Sequence, residues 1–236
     1  MHTEHIDYTH GDTTLQALLA REGDTKEPRP GVLVAHAWGG RDDFADGRAR
    51  ALAELGYVGF ALDNYGKGVL GSGPAENSAL MGPLLNDRAL LRDRLLRGLE
   101  VLRAQPGVDP ERVAIIGYCF GGLCALDLAR SGADIRGAVA FHGLFMPTGL
   151  PAQEIKASVL ALHGYNDPMV TPDKLAAFQR EMDEAGAEWQ LHAYGGTVHA
   201  FSVPDANNPE MGTVYSARAQ RRSWRSTVDF LAEVLV

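Results

Sequence analysis

The stretch Ile116-Gly117-Tyr118-Cys119-Phe120-Gly121-Gly122, IGYCFGG, lies between an apolar run and the helical pattern LCALDLAR. The run RVAIIGYC (112–119) is apolar without alternation, which fits a strand covered on both faces. Gly117 and Gly121 flank Cys119 as G-x-C-x-G, the cysteine form of a strand-to-helix nucleophile turn. Such a turn is sharp and strained, and bulk two residues to either side would strike the neighbouring strand or helix. A thiol there sits at a helix N-terminus, where free N–H groups and the helix dipole favour thiolate. Most free cysteines are small buried hydrophobes, and the flanking glycines are what lift Cys119 above that reading. Cys124 has no such setting and reads as core.

The same strand-then-helix pattern extends in both directions. GVLVAHAW (31–38), YVGFALDNY (57–65), GAVAFHG (137–143) and SVLALHG (158–164) read as buried strands, and EWQLHAYG (188–195) as a last one. Helices are expected over 43–56, closing at Gly56, over a leucine-striped run at about 84–104, and at about 120–131, 172–185 and 214–234. Residues 4–22 read as two alternating strands hinged at 10–12, an antiparallel hairpin at a sheet edge. The glycine-rich segment 66–82 reads equally well as a lid or as a plain surface loop. Together these predict an α/β fold, one domain over 1–236, with a mostly parallel central sheet, helices on both faces and right-handed crossovers. In such sheets the chemistry collects just past the carboxyl ends of the strands.

Composition narrows the function. With 45% apolar residues and a formal charge of -8, the chain can bury a large core and has no basic face for nucleic acid. The arginine-dense run DRALLRDRLLRG (87–98) carries leucines at helical spacing, and Asp93 and Arg97 fall at i,i+4, so it reads as a solvated helix face. The two cysteines form neither CxxC nor a metal framework, and with a helix starting at Cys119 they face different ways, which predicts no disulfide. No metal or organic cofactor is expected. The N-terminus lacks the basic and apolar regions of a signal peptide, and no run of about 18 apolar residues predicts a spanning helix. The expectation is a cytoplasmic protein, monomer or homodimer, acting on a small molecule away from membranes.

Two further residues follow strands in the required way. Asp167 lies in LHGYNDPMV after 158–164, where a turn role would suit it as well. His199 lies in GGTVHAF after 188–195. The spacings from thiol to acid and from acid to histidine are 48 and 32 residues, and the order nucleophile–acid–histidine is that of α/β-hydrolases. An oxyanion hole would use the N–H of Phe120 and an N–H from HAWGGRDDF, that of Trp38 or Ala37. Trp38, Tyr65, Phe120, His142, Phe145 and Phe201, with His36 and Ala37, follow strand ends and are candidates to line the pocket, though any one would also suit ordinary core. His36 would either help ionise Cys119 or hydrogen-bond within its own loop.

From GVLVAHAWGG through YVGFALDNYGKG, GYCFGG and HGYNDPMV to VHAF, the chain resembles the dienelactone hydrolase family, small cysteine α/β-hydrolases that open enol-lactone rings. The resemblance implies the α/β-hydrolase fold, with Cys119 as nucleophile, His199 as base, Asp167 as its partner, and Phe120 and Trp38 as oxyanion donors. It also implies cleavage of a small ester or lactone through an acyl-enzyme. Chlorocatechol-pathway members of the family use a glutamate, at the position of Ala37 here, to help form the thiolate. They hold the substrate carboxylate with arginines, one of them about four residues after the catalytic histidine. This chain has Val203 there and no arginine between Arg50 and Arg88. The alternatives are a thioesterase or peptidase on the same triad, or a catalytically silent hydrolase fold that binds a ligand.

Overall fold

The computed structural model describes residues 1–23 and 27–236. Strands β1 (His2–His10) and β2 (Thr13–Arg21) form the expected antiparallel hairpin. β2 also runs antiparallel to β4 (Val58–Leu62). Beyond it, β3 (Arg29–Ala35), β5 (Val108–Tyr118), β6 (Gly137–Phe141), β7 (Ser158–Gly164) and β8 (Trp189–Tyr194) pair in parallel. The result is one eight-stranded sheet in the order β1-β2-β4-β3-β5-β6-β7-β8, an α/β-hydrolase arrangement.

Each central strand buries both faces by alternation. Leu33 and Ile115 pack into the core under helices α3 (Arg88–Arg103), α4 (Phe120–Arg130) and α5 (Pro172–Glu184). Val34 and Ile116 pack into the opposite core, under α1 (Asp43–Glu54) and α6 (Ala217–Val234). No described helix is long and apolar enough to cross a membrane.

The differences from expectation lie at strand ends, and they matter for the site. β3 stops at Ala35 and β4 at Leu62, so His36–Trp38 and Asp63–Tyr65 leave the sheet. The Asp63 carboxylate accepts the N–H groups of Tyr65 and Gly66 at 2.8 and 3.0 Å, which turns the chain at once. β5 begins early, because Val108 and Asp109 pair with Arg29 and Pro30 ahead of a register shift.

The segment 66–82 is not all loop. Pro74 opens helix α2 (Pro74–Asn86), and the leucine-striped run is two helices broken at Asp87, whose carboxylate caps α3 at Leu90 N–H, 2.9 Å away. α6 starts at Ala217 because Thr213–Val214 form β10, paired with β9 (Asn207–Asn208).

The arginine-dense run also departs from a uniform solvated face. Arg97 donates to Thr9 O and to Glu100, both at 3.1 Å, rather than to Asp93, which pairs with Arg92. Arg88 is buried on Asp127, with N–O distances of 2.6 and 2.7 Å.

Candidate active site

At the end of β5 the chain turns into α4 through Cys119, whose φ is 57°. Few side chains tolerate that conformation, and it persists only where the surroundings enforce it. The enforcement here is backbone contact. A Cβ on Gly117 would stand 1.9 Å from Gly121 O, and one on Gly121 would stand 2.0 Å from Ala35 O. Only glycines let α4 seat this closely against β3 and β5. The Cys119 N–H is shared between Phe141 O at 3.0 Å and His142 Nδ1 at 3.1 Å. The thiol stays partly open, while Cys124 is fully buried; both are free.

Asp167 and His199, both buried, meet through Oδ2 and Nδ1 at 2.6 Å. The other carboxylate oxygen accepts Met169 N–H at 2.8 Å, so Asp167 serves the turn and the histidine at once. His199 Nε2 is buried and makes no hydrogen bond to a described residue; it opens into the cleft that also holds Cys119. Burial opposes charge on His199, but the negative charge of a Cys119 thiolate and the hydrogen bond to Asp167 outweigh it and push the imidazole up to about 10. An imidazolium in that position would stabilise a thiolate on Cys119.

The backbone of His199 is held by the β9–β10 hairpin: its N–H donates to Gly212 O at 3.0 Å and its carbonyl accepts Val214 N–H at 3.2 Å. Gly212 has φ 66°, and a Cβ there would stand 2.3 Å from Pro168 Cγ. The acid loop and the histidine loop are thus clasped together by one glycine.

His36 forms two hydrogen bonds within its surroundings. Its Nε2 accepts Asn64 N–H at 3.1 Å, so the proton lies on Nδ1, which donates to Ala37 O at 2.7 Å. Gly40 N–H also donates to Ala37 O, at 3.2 Å. In a trans peptide the N–H lies opposite the carbonyl, so this fixes the direction of the Trp38 N–H. Tyr65 Oη then donates to Trp38 O at 3.0 Å. The first N–H groups of α4, beginning at Phe120, have no acceptor within the helix. Burial pulls the His36 pKa down, which keeps the ring neutral.

His142, at φ 37°, is also neutral: burial and the neighbouring His199 hold its pKa well below the ordinary value. Since its Nδ1 accepts from Cys119, its Nε2 carries the proton and donates to Ser202 Oγ at 2.8 Å.

The cleft beside these groups measures about 460 Å³. Of the residues expected to line it, Ala37, Trp38 and His142 do. His36, Tyr65, Phe120, Phe145 and Phe201 do not. Phe201 packs beneath His142 with ring centres 5.1 Å apart, Phe145 stacks on Phe178 at 4.4 Å, and Tyr65 stacks on Phe120 at 6.0 Å. Their rings are spent on the core behind the site.

The walls are instead Leu70, Met81, Leu144, Met169, Val203 and Met211, with Asp42 and Asn77 at the same opening. Apart from Asn77 and Met81, which lie on α2, these come from connections between elements, where no periodicity marks a residue as facing a cleft. Only Val203, four residues past His199, could have been found by counting.

The dienelactone hydrolase family model matches residues 15–235. A solved structure described as the dienelactone hydrolase-like promiscuous phosphotriesterase P91, from metagenomic libraries, superposes with a TM-score of 0.92 at 35% identity, covering 100% of this chain and 99% of that one. Another, named m3DLH, gives a TM-score of 0.95 at 36% identity with the same coverage. A Bradyrhizobium protein named "Probable 2-oxo-3-(5-oxofuran-2-ylidene)propanoate lactonase" is 29% identical, over 94% of this chain and 90% of its own length. With the family matched from the second strand to the last helix, the chain belongs to the dienelactone hydrolase family and is a hydrolase.

Proposed function

We propose that the protein hydrolyses small esters or lactones with a Cys119–His199–Asp167 triad through an acyl-enzyme. The observation that carries this reading is the 2.6 Å bond between His199 and Asp167 in the cleft onto which the Cys119 turn opens. With the proton on His199, the Cys119 thiolate adds to the substrate carbonyl carbon. The resulting oxyanion sits between the N–H groups of Phe120 and Trp38. Collapse expels the alkoxide, which takes the proton from the imidazolium, and leaves a thioester on Cys119. His199, now neutral, draws a proton from water as the water attacks the thioester. The second tetrahedral species collapses to acid and thiolate, and the imidazolium is restored. The thiolate, left without a nearby glutamate at Ala37, is accounted for by the His199 cation and the start of α4. A cleft of about 460 Å³ suits a small molecule rather than a protein chain.

A second reading, phosphotriester hydrolysis, is favoured by the 35% identity to the protein named a promiscuous phosphotriesterase. One assay tests both: an aryl ester and a diethyl aryl phosphotriester, offered to wild type, Cys119→Ala and His199→Ala. Each variant is expected to lose on the order of 10³-fold or more in kcat/KM. Undiminished ester turnover by Cys119→Ala removes the triad mechanism.

A further inference from the structure

Among the described residues, the wall of the cleft contains no lysine or arginine, and its one carboxylate is Asp42. Lys174, five residues past the lining residue Met169, donates to Met169 O at 3.0 Å, and three other cations are engaged elsewhere. Arg41 lies on Asp46 at 2.8 and 3.0 Å and on Gln16 at 3.1 Å, and Lys67 pairs with Asp7. Arg94 donates to Asn64 O and Thr13 Oγ1. A thiolate, an imidazolium and the Asp167 carboxylate sum to one negative charge, to which Asp42 adds a second. The remaining wall is aliphatic and thioether side chain. A carboxylate entering here would lose water, gain no guanidinium partner and meet like charge.

We infer that the substrate of this site is an uncharged, apolar ester or lactone and not one that carries a carboxylate. The inference rests on the proposed triad, and it also predicts how the cleft treats reagents that need no turnover.

Two measurements test it. The first compares kcat/KM for 4-nitrophenyl butyrate with that for mono-4-nitrophenyl succinate, which differ by a terminal carboxylate. The neutral ester is expected to lead by about 100-fold, and Val203→Arg, which puts a cation on the wall, to narrow the gap at least about tenfold. The second compares alkylation of Cys119 by iodoacetamide and by iodoacetate, each normalised to a free small thiol. The neutral reagent is expected to be favoured more than about tenfold, with buried Cys124 silent. Equal or faster reaction of the anionic member in either measurement overturns the inference. Loss of turnover of both esters would count against the triad alone, because the alkylation ratio still reports the charge preference of the cleft.

Discussion

Cys119 and Asp167 each answer two demands with one side chain. Cys119 keeps a backbone angle of 57° while its side chain remains partly open. Asp167 gives one oxygen to Met169 N–H and the other to His199. The pH dependence follows from the second bond. Burial favours neutral His199, whereas the Cys119 charge and the Asp167 carboxylate favour the cation and push it up to about 10. The group is therefore protonated through the neutral range and loses its proton as pH rises through about 10, so kcat/KM is expected to hold from neutral pH upward and fall there. Asp167→Asn removes a contribution that raises the pKa. Its alkaline limb should move to lower pH, with kcat/KM lower by about 10²–10⁴-fold; a pH–rate profile of both proteins checks this. A limb that stays in place would remove Asp167 from the electrostatics of His199. The three residues of the proposed triad could be picked out in the sequence because each follows an apolar run, so strand ends gave their neighbourhood. The proposed partner of a thiolate could not: Ala37 says only that no acid stands there, and His199 lies 80 positions away.

At the scale of elements, the site depends on close backbone approach. The hairpin β9–β10 holds both faces of the His199 peptide, and Gly212 lets it lie against Pro168. Gly212→Ala combines an unfavourable positive φ with a Cβ 2.3 Å from Pro168 Cγ. Gly196→Ala shares the φ penalty, at 67°, but has nothing within 4 Å of the new Cβ. Both are expected to lose about 1–2 kcal/mol of stability from φ alone, seen in urea unfolding. Only Gly212→Ala should also lower kcat, by about tenfold, as a small displacement of the histidine costs orientation. Equal kcat for the two variants would mean that the hairpin does not position His199. Two-residue strands such as these carry too few residues for a pattern, so the hairpin was illegible in advance. The same holds for α2, where Gly73 and Pro74 look like loop until the helix behind them is seen. Long buried strands were legible because alternation is not needed when both faces are covered: SVLALHG matches β7 residue for residue.

Across the whole molecule, one buried charge network ties the far side of the sheet together. Arg88 on α3 and Arg130 on α4 share Asp127, and Arg130 also holds Glu181 on α5 at 2.6 and 2.8 Å. Both arginines donate to Met146 O, which fixes the connection leaving β6 two residues beyond the cleft residue Leu144. Arg88→Ala leaves Asp127 buried with half its compensation. A loss of about 3–5 kcal/mol is expected in denaturant unfolding, with replacement of both Arg88 and Asp127 by apolar residues costing less than the single change. If the single change cost under about 1 kcal/mol, the value of an exposed pair, the network would be incidental. In the sequence, Arg88 is one of several arginines on a leucine-striped helix, and nothing local separates the buried one from the solvated ones. Partners 39 residues apart become visible only in three dimensions.

The cleft walls and the nucleophile turn come from different parts of the chain. Gly117 and Gly121 are fixed by backbone atoms that no side-chain change can move aside. Met81 on α2, and Leu70, Met169, Val203 and Met211 on connections, are side chains outside the eight-stranded sheet. Mutational tolerance should therefore be steeply uneven, nearly nil around the thiol and broad a few ångströms away. A lineage built on this scaffold can drift from one ester to another through those five positions while its chemistry stays fixed, which makes substrate range its most evolvable property.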